Sequence, residues 1–249
     1  MKGIILAGGS GSRLFPLTKV TNKHLLPVGR EPMVFHPLKK LLGAGIRDIL
    51  VVTGTEHMGA VVGLLGSGKD FDCQFTYRVQ DQPGGIAQAL SLAQNFARGE
   101  RMVVILGDNI FQDDLGLYVE NFARQGKGAR ILLKQVDHPE RFGVATLDGK
   151  HIVHIQEKPQ NPKSRHAVTG IYMYDDRVFD IISHLEPSAR GELEITDVNN
   201  AYIERNELQF DTLQGWWTDA GTFDSLAHAH SLTMGAHLEE QEEQEDGKK

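Results

Sequence analysis

The stretch Gly3-Ile4-Ile5-Leu6-Ala7-Gly8-Gly9-Ser10-Gly11-Ser12-Arg13-Leu14 decides the fold. Its first five residues form an uncharged apolar run, the pattern of a short strand buried on both faces. The run flows directly into a glycine loop that ends in an arginine. Pro16 and then Lys23-His24-Leu25-Leu26-Pro27-Val28 follow. Successive backbone amides in a tight turn make a concave anion site, and glycine leaves the approach to it clear. Arg13 adds a planar fork of donors suited to phosphate oxygens, and Lys23 adds a compact charge. Neither common nucleotide motif fits. Leu14 stands where G-x-G-x-x-G needs its third glycine, and Ser12 stands where a Walker loop needs lysine. On its own the loop fits either a phosphate cradle or a plain turn after a strand.

Outward from that loop, apolar β-rich runs alternate with helical patterns. Gly3–Ala7, 49–53, 74–79 and 102–106 read as strands. Val34, Leu38, Leu41 and Leu42 mark one helical face, and Ile86, Ala89, Leu90, Ala93 and Ala97 mark another. Such alternation predicts an α/β fold with a Rossmann-like, mostly parallel central sheet flanked by helices. Ligands then bind beyond the carboxyl ends of the strands, where the glycine loop lies. After about Asp108 the strands come closer together, at 129–135, 143–147, 151–156 and 167–174, with Asp148-Gly149 as a hairpin turn. Helices are expected near 177–184, 192–205 and 223–233. The chain reads as a single domain over 1–236. Residues 1–108 form a nucleotide-binding half, and 109–236 a half carrying an inserted, β-rich sugar-binding portion. Residues 237–249 read as an acidic, disordered tail.

Composition narrows the class. The chain has 249 residues, 40% of them hydrophobic, and no run long enough to predict a transmembrane helix. More than half of the net charge of −7 lies in the last twelve residues, with six acids against two lysines, and an acidic chain argues against a nucleic-acid surface. Met1-Lys2-Gly3-Ile4 leads straight into a strand pattern, so no signal peptide is expected. Cys73 is the one cysteine, which excludes an internal disulfide and fits a reducing, cytoplasmic setting.

Asp108, in Leu106-Gly107-Asp108-Asn109, sits at the mouth of an apolar strand, and Asp219 follows Trp216-Trp217-Thr218 before a glycine turn. Each alone suits a turn or cap. Together they suit one Mg²⁺ whose other ligands are phosphate oxygens and water. The two tryptophans read as core packing. Gln80 and the segment Gly84-Gly85-Ile86-Ala87-Gln88-Ala89 offer an amide and free backbone groups fitted to a pyrimidine edge. Glu157-Lys158-Pro159 reads either as a surface turn or as a sugar and phosphate contact. Glu192, Glu194 and Asp197 read as acids favoured at a helix N-terminus. The eleven histidines show no zinc spacing, and no G-x-S-x-G elbow is present.

The string G-G-x-G-[ST]-R-L-x-P, with K-x-L-L-P-V downstream, resembles the sugar-phosphate nucleotidyltransferases, and the resemblance runs from Lys2 to about Leu226. It implies an Mg²⁺-dependent enzyme that condenses a nucleoside triphosphate with a sugar 1-phosphate. The expected substrates are dTTP and glucose 1-phosphate, feeding dTDP-sugar synthesis such as that of dTDP-rhamnose. UTP or another hexose 1-phosphate is the alternative, and a non-catalytic sugar-nucleotide-binding regulator is the rival of another class. The resemblance gives catalytic roles to Arg13, Lys23, Asp108 and Lys158. It assigns nucleotide contacts to Leu6, Gly8, Gly9, Gly11, Ser12, Arg13, Lys23, Gln80, Gly85 and Asp108. Sugar-phosphate contacts fall to Asn109, Gly143, Glu157, Lys158, Val168 and Arg190, and the metal to Asp108 and Asp219. It also implies a homo-oligomer, tetrameric in relatives, with no nucleic-acid or membrane partner. Three positions depart from the family pattern. Ser12 stands for the commoner threonine, Phe142 for a tyrosine, and Asp81-Gln82-Pro83 for Pro-Ser-Pro, which bears on the choice of base.

Overall fold

The computed structural model describes residues 1–9 and 11–246, with side chains described to residue 236. The first half contains β1 (Lys2–Ala7), β2 (Pro27–Val28), β3 (Glu31–Pro32), α1 (Phe35–Gly43), β4 (Asp48–Gly54) and α2 (Met58–Leu65). It continues through β5 (Gln74–Gln80), α3 (Ile86–Ser91), α4 (Gln94–Ala97) and β6 (Met102–Leu106). The second half opens with β7 (Asn109–Phe111), α5 (Gly116–Gln125), β8 (Ala129–Gln135), β9 (Gly143–Asp148) and β10 (His151–Glu157). It closes with β11 (His166–Tyr174), α6 (Val178–Ser183), α7 (Ile195–Glu204), β12 (Leu208–Thr212), β13 (Trp217–Asp219) and α8 (Phe223–Asp246).

Nine strands form one sheet along the path β10-β9-β11-β6-β1-β4-β5, with β8 and β12 joined beside β11. The pairs β6–β1, β1–β4 and β4–β5 are parallel, whereas β11 runs antiparallel to β6 and to β8. After β1 the chain moves outward to β4 and β5, then returns to place β6 on the other side. That reversal opens a crevice at the carboxyl ends of β1 and β6, between Gly8 and Asp108.

Period-two alternation divides the sheet's apolar residues between two cores. Ile4, Leu6, Leu50, Val52 and Val104 face α3, α4, α6 and α7. Ile5, Ala7, Val51, Val103 and Ile105 face α1, α2 and α5. Both faces are covered, which explains why the central strands read as continuous apolar runs. A third cluster, built on Val28, Met33, Ile110, Ala220 and Ala229, seats α8 against the small strands.

Helices α2 and α5 have no counterpart in the sequence expectation, and three of the expected helices differ in extent. The face at 86–97 is split, because Ala93 bonds back to Leu90 in a tighter turn before α4 begins. Helix α7 starts at Ile195 rather than 192, because Ser188–Glu192 closes a turn of its own (Ser188 N to Glu192 O 2.9 Å, Gly191 N to Ser188 O 2.8 Å). Helix α8 runs to Asp246, through most of the segment expected as a disordered tail. That segment is rich in Glu and Gln, which are good helix formers. Residues 247–249 of the expected tail lie outside the described residues. No helix among the described residues is long and apolar enough to cross a membrane.

Candidate active site

The loop after β1 turns sharply at Gly9 and Gly11, both with positive φ, and enters a short 3-10 turn at Ser12–Leu14. Gly11 at φ 60° is held from outside by Thr18, whose hydroxyl donates to the Gly11 carbonyl at 2.8 Å. Leu14 is fully buried, so it anchors the loop while Ser12 and Arg13 stay exposed at the crevice. Leu6 is buried inside β1 below them, and its carbonyl accepts from Gly107 N at 2.9 Å. This bond ties the glycine loop's strand to the one that carries Asp108.

Lys23 Nζ lies 2.6 Å from Asp108 Oδ2. Burial pushes the Asp108 carboxyl up, but the Lys23 charge and hydrogen bond, with help from Asn109, hold it well below the ordinary carboxylate range. Burial also drives the neighbouring His24 imidazole down to about 3, so the ring is neutral at physiological pH. Three-residue strands β7 and β13 pair antiparallel and set Asp219 opposite Asn109, while Ala220 N donates to Asp108 O at 2.8 Å. Burial, and then the negative charge of Asp108, raise the Asp219 carboxyl, while Arg141, Arg13 and Lys23 oppose the rise. Two carboxylates whose charges interact unfavourably are a fit donor pair for Mg²⁺, a hard cation that keeps water and phosphate oxygens as its other ligands. No cluster of three or more potential metal-ligating acids, histidines or cysteines occurs among the described residues, so such an ion would need those outside ligands.

Asn109 is almost wholly buried. Its Oδ1 accepts from Gly170 N and from Trp217 Nε1, each at 2.8 Å, and its Nδ2 donates to Asp108 Oδ1 at 3.1 Å. In this structure it braces Asp108. Trp217 is buried, as expected for core packing, and stacks edge-on against Phe142 at 5.1 Å.

The sugar-side residues gather at the ends of β9, β10 and β11. Glu157 Oε2 accepts from the Thr196 hydroxyl at 2.7 Å, and Lys158 Nζ stands 3.7 Å from Glu157 Oε1. Lys158 has φ 40°, and its amide donates to Phe142 O at 3.0 Å, fixing it beside the β9 entrance. Gly143 leaves room there for Glu157 and Thr196, since a Cβ would come within 3.3 Å of both side-chain oxygens. Val168 is buried in β11. Arg190 donates from Nε and Nη2 to the two Glu194 oxygens at 3.1 and 2.7 Å, with Glu157 and Glu192 at 3.5 and 3.4 Å. Glu194 stands at the N-cap of α7, the helix end that its position suggested, but it makes no side-chain cap bond there and also clamps the arginine, braced by Ser188 at 2.7 Å.

Within the second half, Arg141 Nη2 reaches Asp219 Oδ1 at 3.5 Å. A backbone seam joins the two halves. The turn before α3 is stitched to the Arg190 segment, with Leu193 N donating to Gly84 O at 2.8 Å and Ala87 N to Leu193 O at 3.2 Å. Gly85 lies between them at φ 95°, and a Cβ there would fall 2.5 Å from Leu193 O. Sequence reasoning missed Arg141, Thr196, Ser188 and the clamping role of Glu194, whose partners are set by the fold rather than by any local pattern.

The glycine loop, the Lys23–Asp108 pair and Asp219 on this switched sheet suit a nucleotidyl-transferring enzyme, and the chain belongs to the Nucleotidyl transferase family, whose profile matches residues 2–234. It is 47% identical over 238 residues to the glucose-1-phosphate thymidylyltransferase of Neisseria meningitidis, covering 94% of this chain and 83% of the relative. A crystal structure from Bacillus anthracis bearing the glucose-1-phosphate thymidylyltransferase name is 61% identical. It superposes with a TM-score of 0.91 over 94% of this chain and 95% of that one. A UDP-glucose pyrophosphorylase complexed with UDP-glucose shares the fold at TM-score 0.82 and 22% identity, covering 94% and 98%.

Proposed function

We propose that this enzyme transfers a thymidylyl group from dTTP to glucose 1-phosphate, giving dTDP-glucose and pyrophosphate. The observation that carries the reading is the two-sided site. Lys23 and Asp108 pair beside the glycine loop, a group suited to a triphosphate, while Glu157, Lys158 and Arg190 cluster separately, a group suited to a sugar phosphate. The names of the relatives support the choice of substrates.

A sugar-phosphate oxygen attacks the α-phosphorus in line. A P–O bond forms as the bond to the β-phosphate bridging oxygen breaks, and pyrophosphate leaves with that electron pair. The nucleophile is already anionic, so no strong base is required. The obstacle is bringing two anions together, and fixed cations with preset geometry remove it. Arg13 and Lys23 hold the triphosphate, and Lys158 and Arg190 hold the sugar phosphate. Glu157 accepts from sugar hydroxyls, and Gln80 and the backbone at Gly85 meet the base. Asp108 and Asp219 would hold Mg²⁺, which supplies charge neutralisation to the triphosphate when bound. A homo-oligomer in the cytoplasm completes the proposal.

The test is pyrophosphate release across four nucleoside triphosphates and several hexose 1-phosphates with Mg²⁺. Fastest turnover with dTTP and glucose 1-phosphate supports the reading, a preference for UTP replaces the base, and binding without product overturns it.

A further inference from the structure

Gln80 ends β5 and is only 7% exposed. Its Nε2 donates to Gln88 Oε1 at 2.6 Å and reaches Gly85 O at 3.5 Å, so both amide hydrogens are committed to the protein. Its Oε1 has no partner among the described residues. That oxygen lies 2.4 Å from the point where a Cβ on Gly8 would stand, which puts it over the glycine loop. It opens on a cleft of about 240 Å³ lined by Gly9, Thr18, Asn22, Lys23, Gly54 and Gln80.

A side-chain amide is ambivalent, since turning it over exchanges an acceptor for a donor. The Gln88 amide is ambivalent too, but the Gly85 carbonyl can only accept, so it favours Gln80 Nε2 turned inward, where Gln88 Oε1 accepts from the same nitrogen. That arrangement leaves the carbonyl oxygen as the atom that faces a ligand. We propose that Gln88 is a positioning residue for base selection. By locking Gln80 carbonyl-outward, it makes the cleft demand a ring N3–H donor, the property of the thymine and uracil class, and disfavour cytosine, whose N3 carries a lone pair. Cytosine in the same pose sets two acceptors against each other in a nearly dry site, and a buried polar group left unpaired is where discrimination is strongest. The proposal rests on the reading above that Gln80 meets the base.

The experiment compares the full-length chain with Gln88→Leu, Gln88→Glu and Gln88→Lys, using dTTP, UTP and dCTP with glucose 1-phosphate. The readout is kcat/KM for dTTP divided by that for dCTP. Leu removes the acceptor, and the ratio is expected to fall at least tenfold, through a raised KM for dTTP with kcat little changed. Glu still accepts from Gln80 Nε2 and is expected to stay within about threefold of the parent ratio. Lys donates to Gln80 Oε1, turns the amide over and is expected to lower the ratio as Leu does. It also serves as the test should Leu not fold. A Leu or Lys variant that folds and keeps the parent ratio overturns the proposal. A parent enzyme that releases pyrophosphate from none of the three triphosphates overturns the base-reading premise instead, and the two failures are distinct.

Discussion

At the scale of single residues the site is a balance of paired charges. Asp108 is buried against Lys23 and braced by Asn109, so its carboxylate stays ionised and fixed. Asp108→Asn keeps the shape and removes the charge. Pyrophosphate release is expected to fall at least about a hundredfold, in line with losses seen when a preorganised charge is removed. A near-parental rate removes Asp108 from the site. Arg190 is held by both oxygens of Glu194, a geometry a lysine cannot reproduce. Arg190→Lys is expected to raise KM for the sugar phosphate about tenfold while leaving KM for the triphosphate unchanged, because the charge survives but the fork does not. Steady-state kinetics with each substrate varied in turn checks this. The charged residues stand out in the sequence through the family resemblance, since the glycine loop read alone fits a plain turn as well and Glu157-Lys158-Pro159 fits a surface turn. Their tethers do not. Nothing local in Ala189-Arg190-Gly191-Glu192-Leu193-Glu194 says which acid grips the arginine, and helix-end logic places Glu194 at the N-cap without revealing its grip on Arg190.

At the scale of elements, long buried strands were the easiest to read and short pairings the hardest. The apolar runs at β1, β4 and β6 match their strands to within a residue at each end, because strands covered on both faces are apolar through their centres. Strands β7 and β13 have three residues each, too few for any periodicity, yet their pairing is what brings Asp219 beside Asp108. Helix α5 begins at Gly116 with no side-chain cap, so no start signal marks it. The stitched turn at Gly85 offers a direct test. Gly85→Ala places a Cβ 2.5 Å from Leu193 O at a φ of 95°. Strain of this kind costs about 1–3 kcal/mol, so the urea midpoint is expected to drop accordingly. KM should rise for both substrates, since base contact and Arg190 segment move together. An unchanged midpoint would show that the turn relaxes freely.

At the scale of the whole molecule, a buried polar hub ties together elements of the second half that lie far apart in the chain. Asp175 accepts from Gly128 N and Tyr202 OH, each at 2.7 Å, and from Arg177, so one carboxylate pins β8, α6 and α7. Burial pushes Asp175 up, but those donors together hold it below its ordinary 3.8. A folded value below the unfolded one adds stability above about pH 3.8 that is lost as pH falls through the folded value. Asp175→Asn is expected to cost about 1–3 kcal/mol at pH 7, with the gap to the parent closing below pH 4, as followed by urea unfolding at a series of pH values. The overall α/β architecture was legible from alternation alone. The hub was not, because its members are spread from Gly128 to Tyr202 and meet only after folding. The seam joining Gly84 and Ala87 to Leu193 has a consequence for how such enzymes exchange parts. Two segments more than a hundred residues apart share backbone bonds and leave no space for a side chain between them. A chimera that imports one of these two turns without the other carries a mismatched joint there, while one that imports both keeps the joint intact.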